Sequence, residues 1–591
     1  MRKCDIIMKG GITSGVVYPL AITELAQEFQ FKNIGGTSAG AIAAAVAAAA
    51  EYRRLATGSM AGFDEIAKLP DFLASKTDGE PNLLNLFPPT QKMRGLFGLA
   101  MAFAGDETPS GKVVNALSRL LFLRPWLTLL CFLPALFLFF AVRGQQALGL
   151  LGIAVAEAAL LVFGVVLLAV VTLLHAALVT LPRHRFGLST GRAPADCALP
   201  GVTDWLHERL QTIAGRGTSD KPLTFGDLWT AGQPDVDAAK LVNDSDGRSV
   251  NLQMITTALS HGRPYRLPFE NYRFAFRESE FREYFPQAVV DHLIVRGADY
   301  EDGANAELFA AAQNDPADDR LYPLPNPWEL PVVVAARMSL SFPVLFTLVP
   351  LYAVDFTRPK EKRDYERCWF IDGGLSSNFP MSLFDQPFPR WPTFGINLTG
   401  FTEEHPEQED DSQNVWMTDV LADHWMRFDT TGGYVGAMLD TIRNWHDNTQ
   451  MAVPGFRDRV AHVNLTPEQG GLNLDMDETK VKRLSARGHF AAVKLRERFG
   501  VQGTELKSEN WDHHRDVRYR SSMPLLLQLL DGLTKAFTQQ DPPYLDYWQV
   551  IDGQTQKNKA LTQQLLDVSR LPQGQFKQPN PRPELRIAPR L

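Results

Sequence analysis

Residues 31–54 open Phe31-Lys32-Asn33-Ile34-Gly35-Gly36-Thr37-Ser38-Ala39-Gly40 and then run almost wholly in alanine to Ala50 before closing at Arg54. Residues 31–34 read as a short strand, and residues 41–54 as a strong helix, because alanine has the highest helix propensity. Between them stands Gly36-x-Ser38-x-Gly40. A serine on a sharp strand-to-helix turn is exposed at the carboxyl end of a sheet, and flanking glycines let backbone approach closely. The helix that follows points its N-terminus at the serine, where free N–H groups and the dipole favour negative charge. Ser38 is therefore a candidate nucleophile.

Upstream, residues 4–8 predict a buried strand, and residues 16–29 a helix with Leu20, Ile22, Leu25 and Phe29 on one side. The first 55 residues thus read strand–helix–strand–helix, the start of a parallel α/β sheet. The turn between the first strand and helix is Lys9-Gly10-Gly11-Ile12-Thr13-Ser14-Gly15. Successive glycine N–H groups there can form an anion nest, which in acyl transfer would hold an oxyanion. The same loop also reads as an ordinary glycine-rich turn. It lacks the G-x-G-x-x-G spacing of a dinucleotide site.

Downstream, strands are expected at 250–257, 369–371, 393–398 and 460–465, and helices at 477–499 and 524–538. The apolar run 332–338 leads into Ser339-Leu340-Ser341-Phe342-Pro343. The strand at 369–371 ends in Asp372-Gly373-Gly374, with Asn378 and Pro380 close behind. A carboxylate at that strand end can take a hydroxyl proton directly and later activate water. Residues 187–221 read as a linker, 299–319 as an acidic solvated loop, and the five-proline tail after Leu571 as disordered.

Residues 120–182 differ from the rest. Residues 126–142 carry no charge, and 147–181 carry one carboxylate, Glu157, and one histidine, His175. A spanning helix needs about 20 apolar residues, so two membrane spans are expected. Arg119, Arg124, Arg183, Arg185 and Arg192 flank the pair and Arg143 alone sits between, which puts both ends in the cytoplasm. Glu157 is expected near the membrane interface, and a buried core hairpin is the soluble alternative.

A chain of 591 residues exceeds what one core usually holds. Its net charge of −8 gives no pull toward nucleic acid, and no nucleic-acid partner is expected. Cys4, Cys131, Cys197 and Cys368 form no C-x-x-C pair, so neither a disulfide framework nor a cysteine zinc site is expected, and a reducing compartment fits. The opening residues, interrupted by Asp5 and Lys9, do not read as a signal peptide. Asp475-Met476-Asp477-Glu478 lacks the spacing and glycine of a calcium loop. No metal or other cofactor is expected.

A glycine loop after the first strand, G-x-S-x-G after the second, and a late D-G-G together resemble the patatin-like phospholipase family. Further similarity lies in Leu223-Thr224-Phe225-Gly226-Asp227-Leu228-Trp229, Thr256-Thr257-Ala258-Leu259-Ser260-His261-Gly262 and Ala335-Ala336-Arg337-Met338-Ser339-Leu340-Ser341-Phe342-Pro343. The resemblance implies a three-layer α/β/α fold with a central, mostly parallel sheet, here interrupted by the two-helix hairpin and followed by a C-terminal helical extension. It implies a Ser–Asp dyad without histidine: Ser38 as nucleophile, Asp372 as base, an oxyanion hole from Gly10, Gly11 and Ala39, and Gly36, Gly40, Gly373 and Gly374 as motif glycines. The family loop usually reads G-G-G-x-[KR]-G, whereas Ile12 and Ser14 stand at its third glycine and basic position. The expected division is a catalytic domain of 1–56 and 222–500, a helical connector 57–119, the hairpin 120–182, a linker 183–221 and an extension 501–591. The implied activity is hydrolysis of a phospholipid or lysophospholipid at the membrane. Three alternatives stand beside it. One is a transacylase with the same site. Another is a lipid-binding scaffold without activity. The third is an α/β-hydrolase triad completed by His405, His446 or His462.

Overall fold

The structure is a computed structural model, and it describes residues 1–104, 109–141, 150–269, 274–297, 320–418, 428–471, 473–500, 510–539 and 563–568. The acidic loop expected at 299–319 and the proline-rich tail lie outside them. The chain opens with β1 (Arg2–Met8), α1 (Tyr18–Ala26), β2 (Phe29–Gly36) and α2 (Ala39–Thr57), the predicted order. Further strands are β3 (Asn251–Ala258), β4 (Arg263–Leu267), β5 (Ala275–Arg277), β6 (Leu321–Pro323), β7 (Val349–Val354), β8 (Tyr365–Asp372), β9 (Thr393–Gly400), β10 (Val415–Trp416) and β11 (Val460–Leu465).

These eleven strands form one sheet in the order β10-β11-β9-β1-β2-β3-β8-β7-β5-β6, with β4 paired to β3. Its centre, β11-β9-β1-β2-β3, is parallel, and the strands at both edges are antiparallel. The fold is mixed α/β with a large, mostly parallel sheet, as expected. Parallel strands need both faces covered. β1 accordingly buries its last five residues without alternation. α2 and α9 (Glu478–Phe499) join the core that covers the sheet.

Two expected boundaries are corrected. Residues 183–221 are not a bare linker: they hold α6 (Val202–Ile213), whose Val202, Trp205, Leu206, Leu210 and Ile213 are buried in the main core. The spacing is that of an amphipathic helix, hidden in the sequence by the Pro- and Gly-containing segments around it. Residues 57–119 likewise do more than connect, since Phe63, Ile66, Leu69, Leu83 and Phe87 enter the same core.

The apolar segment forms α3 (Pro109–Leu123), α4 (Pro125–Ala141) and α5 (Leu150–His175). α4 and α5 pack on each other. α3 and α4 meet at a bend of 103° at Arg124. Arg124 precedes Pro125, and the ring of a proline disfavours helical backbone in the residue before it. Among the described residues one helix, Ala154–Arg183, is long and apolar enough to cross a membrane, with only 11% of its most apolar stretch buried. The remaining helices used below are α7 (Val332–Ser339), α8 (Thr431–Met451) and α10 (Trp511–Thr538). α10 is the helical extension, docked by His514 on Asp458 at 2.7 Å and Arg518 on Asp385 at 2.9 Å.

Candidate active site

Sheet register brings Ser38 and Asp372 to one level. Gly36 of β2 pairs with Met254 of β3, and Asp372 of β8 pairs with Thr256, two residues further on. Ser38 lies two residues beyond Gly36, so serine and carboxylate both stand at the carboxyl end of the parallel strands. Ser38 has φ 55° and ψ −130°, a backbone conformation that disfavours a side chain. Strain of this kind costs about 1–3 kcal/mol and persists where the surroundings impose it. Here they do. A Cβ on Gly36 would strike the Gly40 carbonyl, and one on Gly40 the Met8 carbonyl, so the turn closes on itself and packs tightly against the end of β1. The Ser38 N–H donates to Ser339 Oγ at 3.2 Å, and Ser339 donates in turn to the Ile255 carbonyl at 2.7 Å. α7 thereby fixes the turn from the side.

Asp372 is 3% exposed. Its Oδ1 accepts the Gly374 N–H at 2.6 Å, while Oδ2 is buried and without a hydrogen-bond partner. Burial pushes its carboxyl up to about 6, against the downward pull of the Ser38 hydroxyl, the Gly374 N–H and the Arg443 charge. The Ser38 hydroxyl is thus near enough to act on the carboxylate. In the structure, however, it leans on the Gly11 carbonyl at 3.4 Å, so no hydrogen bond to Oδ2 is formed. Asn378 Oδ1 is a second buried acceptor without a partner. A buried, unsatisfied acceptor calls for an explanation, and two of them lie near the strained serine.

The glycine loop departs from expectation. The sequence predicts N–H donors at Gly10, Gly11 and Ala39. In the structure the Gly10 N–H donates to the Asn378 carbonyl at 2.8 Å and the Ala39 N–H to the Gly11 carbonyl at 3.1 Å. Gly11 turns an acceptor, not a donor, toward Ser38. The first N–H groups of a helix lack an intrahelical acceptor, and the loop supplies one to α2 from its own backbone. Gly373 and Gly374 both sit tightly at the end of β8. A Cβ on Gly373 would strike the Ile255 carbonyl, and Gly374 binds the carboxylate.

An apolar cavity of about 600 Å³, its open mouth included, lies at the start of α2, with Ala39 in its wall; Ile12, Ile42, Val46, Leu86 and Trp205 line it too. Ile12, which departs from the family loop, is part of that wall. An apolar lining of this kind suits the apolar part of a ligand. Leu86 comes from the expected helical connector and Trp205 from α6, in the segment expected to be a linker.

Neither His405 nor His462 completes a triad with Ser38 and Asp372. His405 and His462 both stack on Trp416, with ring centroids 4.1 Å apart in each pair, and His462 bonds to Asn397 at 3.1 Å. The side chain of His446 lies outside the described residues. Among the described residues no group of three or more His, Cys, Asp or Glu side chains is placed to hold a metal. One site residue was missed. Asp447 of α8 takes the Ser377 hydroxyl at 3.0 Å and the N–H groups of Asn378 and Phe379 at 2.8 and 2.7 Å, fastening the segment after Asp372. It lies 75 positions from Asp372 in a polar stretch, and no local pattern marks it.

Comparison with known proteins bears on this geometry. The chain is 35% identical to an RpoH suppressor of Rhizobium meliloti (strain 1021), over 88% of this chain and 85% of that protein. It is 26% identical to the uncharacterized protein YqhO of Bacillus subtilis (strain 168), over 32% of this chain and 50% of that protein. The crystal structure of VipD from Legionella pneumophila aligns over 93% of this chain and 79% of that one, at 11% identity and a TM-score of 0.28, too low a score to bear on the fold. The profile of the patatin-like phospholipases matches residues 228–385, which include Asp372 and the helix before it. With a domain of that kind, and a relative similar over nearly its whole length, the chain belongs to the patatin-like phospholipase family.

Proposed function

We propose that this protein is a membrane-associated lipid acyl hydrolase, a phospholipase A or lysophospholipase, that works through a Ser38–Asp372 dyad and an acyl-enzyme. The observation that carries this reading is the strained Ser38 beside a buried Asp372 whose Oδ2 lacks a partner. Ser38 Oγ turns from the Gly11 carbonyl toward Oδ2, gives it the proton and attacks the ester carbonyl carbon. The tetrahedral intermediate collapses, the alcohol departs with the proton from Asp372, and the acyl group stays on Ser38. Water then gives a proton to Asp372 and attacks the acyl carbon, and the fatty acid leaves as Ser38 regains its proton.

The N-terminus of α2 faces the developing oxyanion, and the Ala39 N–H becomes a donor once the Gly11–Ile12 peptide turns its carbonyl away. The apolar cavity behind Ala39 supports a long acyl chain. The catalytic domain is read as 1–56 and 222–500, with the hairpin 120–182 holding it at the bilayer through two spans and both ends in the cytoplasm. A transacylase would use the same site with an alcohol in place of water. The test is product analysis on a defined mixture of phospholipids and lysophospholipids. Wild type should release fatty acid and Ser38→Ala none; equal release by both would end the reading, and acyl transfer to added alcohol without free fatty acid would favour the transacylase.

A further inference from the structure

The ladder between β1 and β2 ends with Met8 opposite Gly36. Gly10 and Thr37 lie just beyond that end, one in the glycine loop and the other directly before Ser38. A third segment joins them. The Asn378 carbonyl accepts the Gly10 N–H at 2.8 Å and the Thr37 hydroxyl at 3.0 Å. Its side chain lies against two glycines, since a Cβ on Gly10 or on Gly374 would strike Asn378 Oδ1. One residue therefore touches the glycine loop, the serine turn and the turn that binds the Asp372 carboxylate.

Asn378 belongs to no strand or helix, so its backbone is held from outside. Asp447 of α8 holds it. The Asp447 carboxylate is 5% exposed, and its Oδ2 takes the N–H groups of both Asn378 and Phe379. Bonds from N–H groups to an ionised oxygen are about twice as strong as neutral ones. A trans peptide is planar, and its N–H and C=O point in opposite directions. The Phe379 N–H and the Asn378 carbonyl are the two ends of one peptide. By gripping the first end, Asp447 aims the second at Gly10 and Thr37.

We propose that Asp447 is a positioning residue for the Ser38–Asp372 chemistry: through the 378–379 peptide it fixes the glycine loop against the nucleophile turn. The inference rests on the hydrolase reading. With Gly10 held, the Gly11–Ile12 peptide turns about a fixed point and the loop as a whole stays in place.

Asp447→Asn keeps the shape of the side chain and one acceptor oxygen but loses the charge. With the full chain in detergent, it should lower kcat on a water-soluble short-chain ester about 10²-fold, as for a misplacement of about 1 Å, with KM unchanged. Amide exchange of Gly10, read by mass spectrometry, should be about tenfold faster or more, with exchange in β1 and β2 unaltered. Thr37→Val removes the hydroxyl donor to the same carbonyl and should lower kcat about tenfold. The double variant should be no slower than Asp447→Asn alone, because both changes act on one carbonyl. Gly10 exchange at the wild-type rate in Asp447→Asn overturns the proposal, as do losses that multiply in the double variant. Faster exchange spread through β1 and β2 overturns it too, making Asp447 merely structural. Should Asp447→Asn not fold, Thr37→Val decides, and wild-type kcat in that variant overturns the proposal. If Ser38→Ala keeps full hydrolysis, the dyad reading falls, while Gly10 exchange in Ser38→Ala/Asp447→Asn still shows whether Asp447 holds the loop.

Discussion

Helices α2 and α5 are both apolar on nearly every side, yet one is buried all round and the other is turned outward. From Ala44 to Ala50 in α2 no residue is more than 2% exposed. In α5, Val155, Val162, Phe163, Val166 and Leu173 are 54–63% exposed. A helix apolar on every side has to be surrounded by something that is not water. For α2 that medium is the protein, and its alanines are small because sheet and helices close in from every side. α5 is built of leucine, valine and phenylalanine, side chains too large for such a slot and suited to lipid. Composition alone treats the two as alike; side-chain size separates them.

The comparison can be tested at each end. The largest effect belongs to the α2 end: Ser38→Ala should cut fatty-acid release by at least about 10³-fold with membrane association unchanged, measured as product from labelled phospholipid. Asp372→Asn should be similarly inactive. In wild type, activity should fall about tenfold per pH unit below pH 6, because the carboxylate must be ionised to accept the Ser38 proton and its pKa is about 6.

The stability sign runs the other way. Burial raises the Asp372 pKa above its ordinary 3.8, so the protonated form favours the fold. That contribution is complete below pH 4 and is lost as pH rises through 6. Asp372→Asn should therefore stabilise the protein by about 1–3 kcal/mol at pH 8 and by little at pH 3, read from unfolding at the two pH values.

At the other end, Val166→Arg in α5 places a charge where lipid is inferred. It should cost about 2.5–3.5 kcal/mol of insertion and release protein from the membrane fraction on alkaline extraction. A water-facing helix would tolerate the change within about 0.5 kcal/mol, and unaltered partitioning would erase the contrast between the two helices. The smallest effect is at the turn before α2: Ser38→Gly should be inactive yet more stable by about 1 kcal/mol, since glycine accepts φ 55° without strain.

The strand–helix–strand–helix opening and the strand that ends at Asp372 were legible because their signals are local: buried strands, an alanine helix, glycines at a turn. The orientation of the Gly11 carbonyl was not legible. It is set by contacts from Asn378 and Ala39, far apart in the chain. α6 was overlooked because its apolar spacing sits among prolines and glycines. α8 was overlooked because Gly432, Gly433 and Gly436 argue against a helix locally. Asp447 reaches the site only through the tertiary position of α8, so its role had no signature in sequence. The cavity wall was hidden for the same reason, being shared among segments that look like connectors.

β2 and β3 lie side by side, Asn33 against Asn251 through Gly36 against Met254, and the whole apolar hairpin falls between them in the chain. Two strands can bond only if they occupy the same aqueous compartment. Any path that leaves that compartment after residue 36 must be back by residue 251, so the number of crossings between them is even. One passage by α5 alone is therefore incompatible with a closed sheet, however well its length suits a bilayer; the bent pair α3–α4 must make the other passage, or neither passes. The same parity orders synthesis. β1 and β2 leave the ribosome first, and the β2 edge waits for its partner until the hairpin has been made, so assembly of the hairpin precedes completion of the active site.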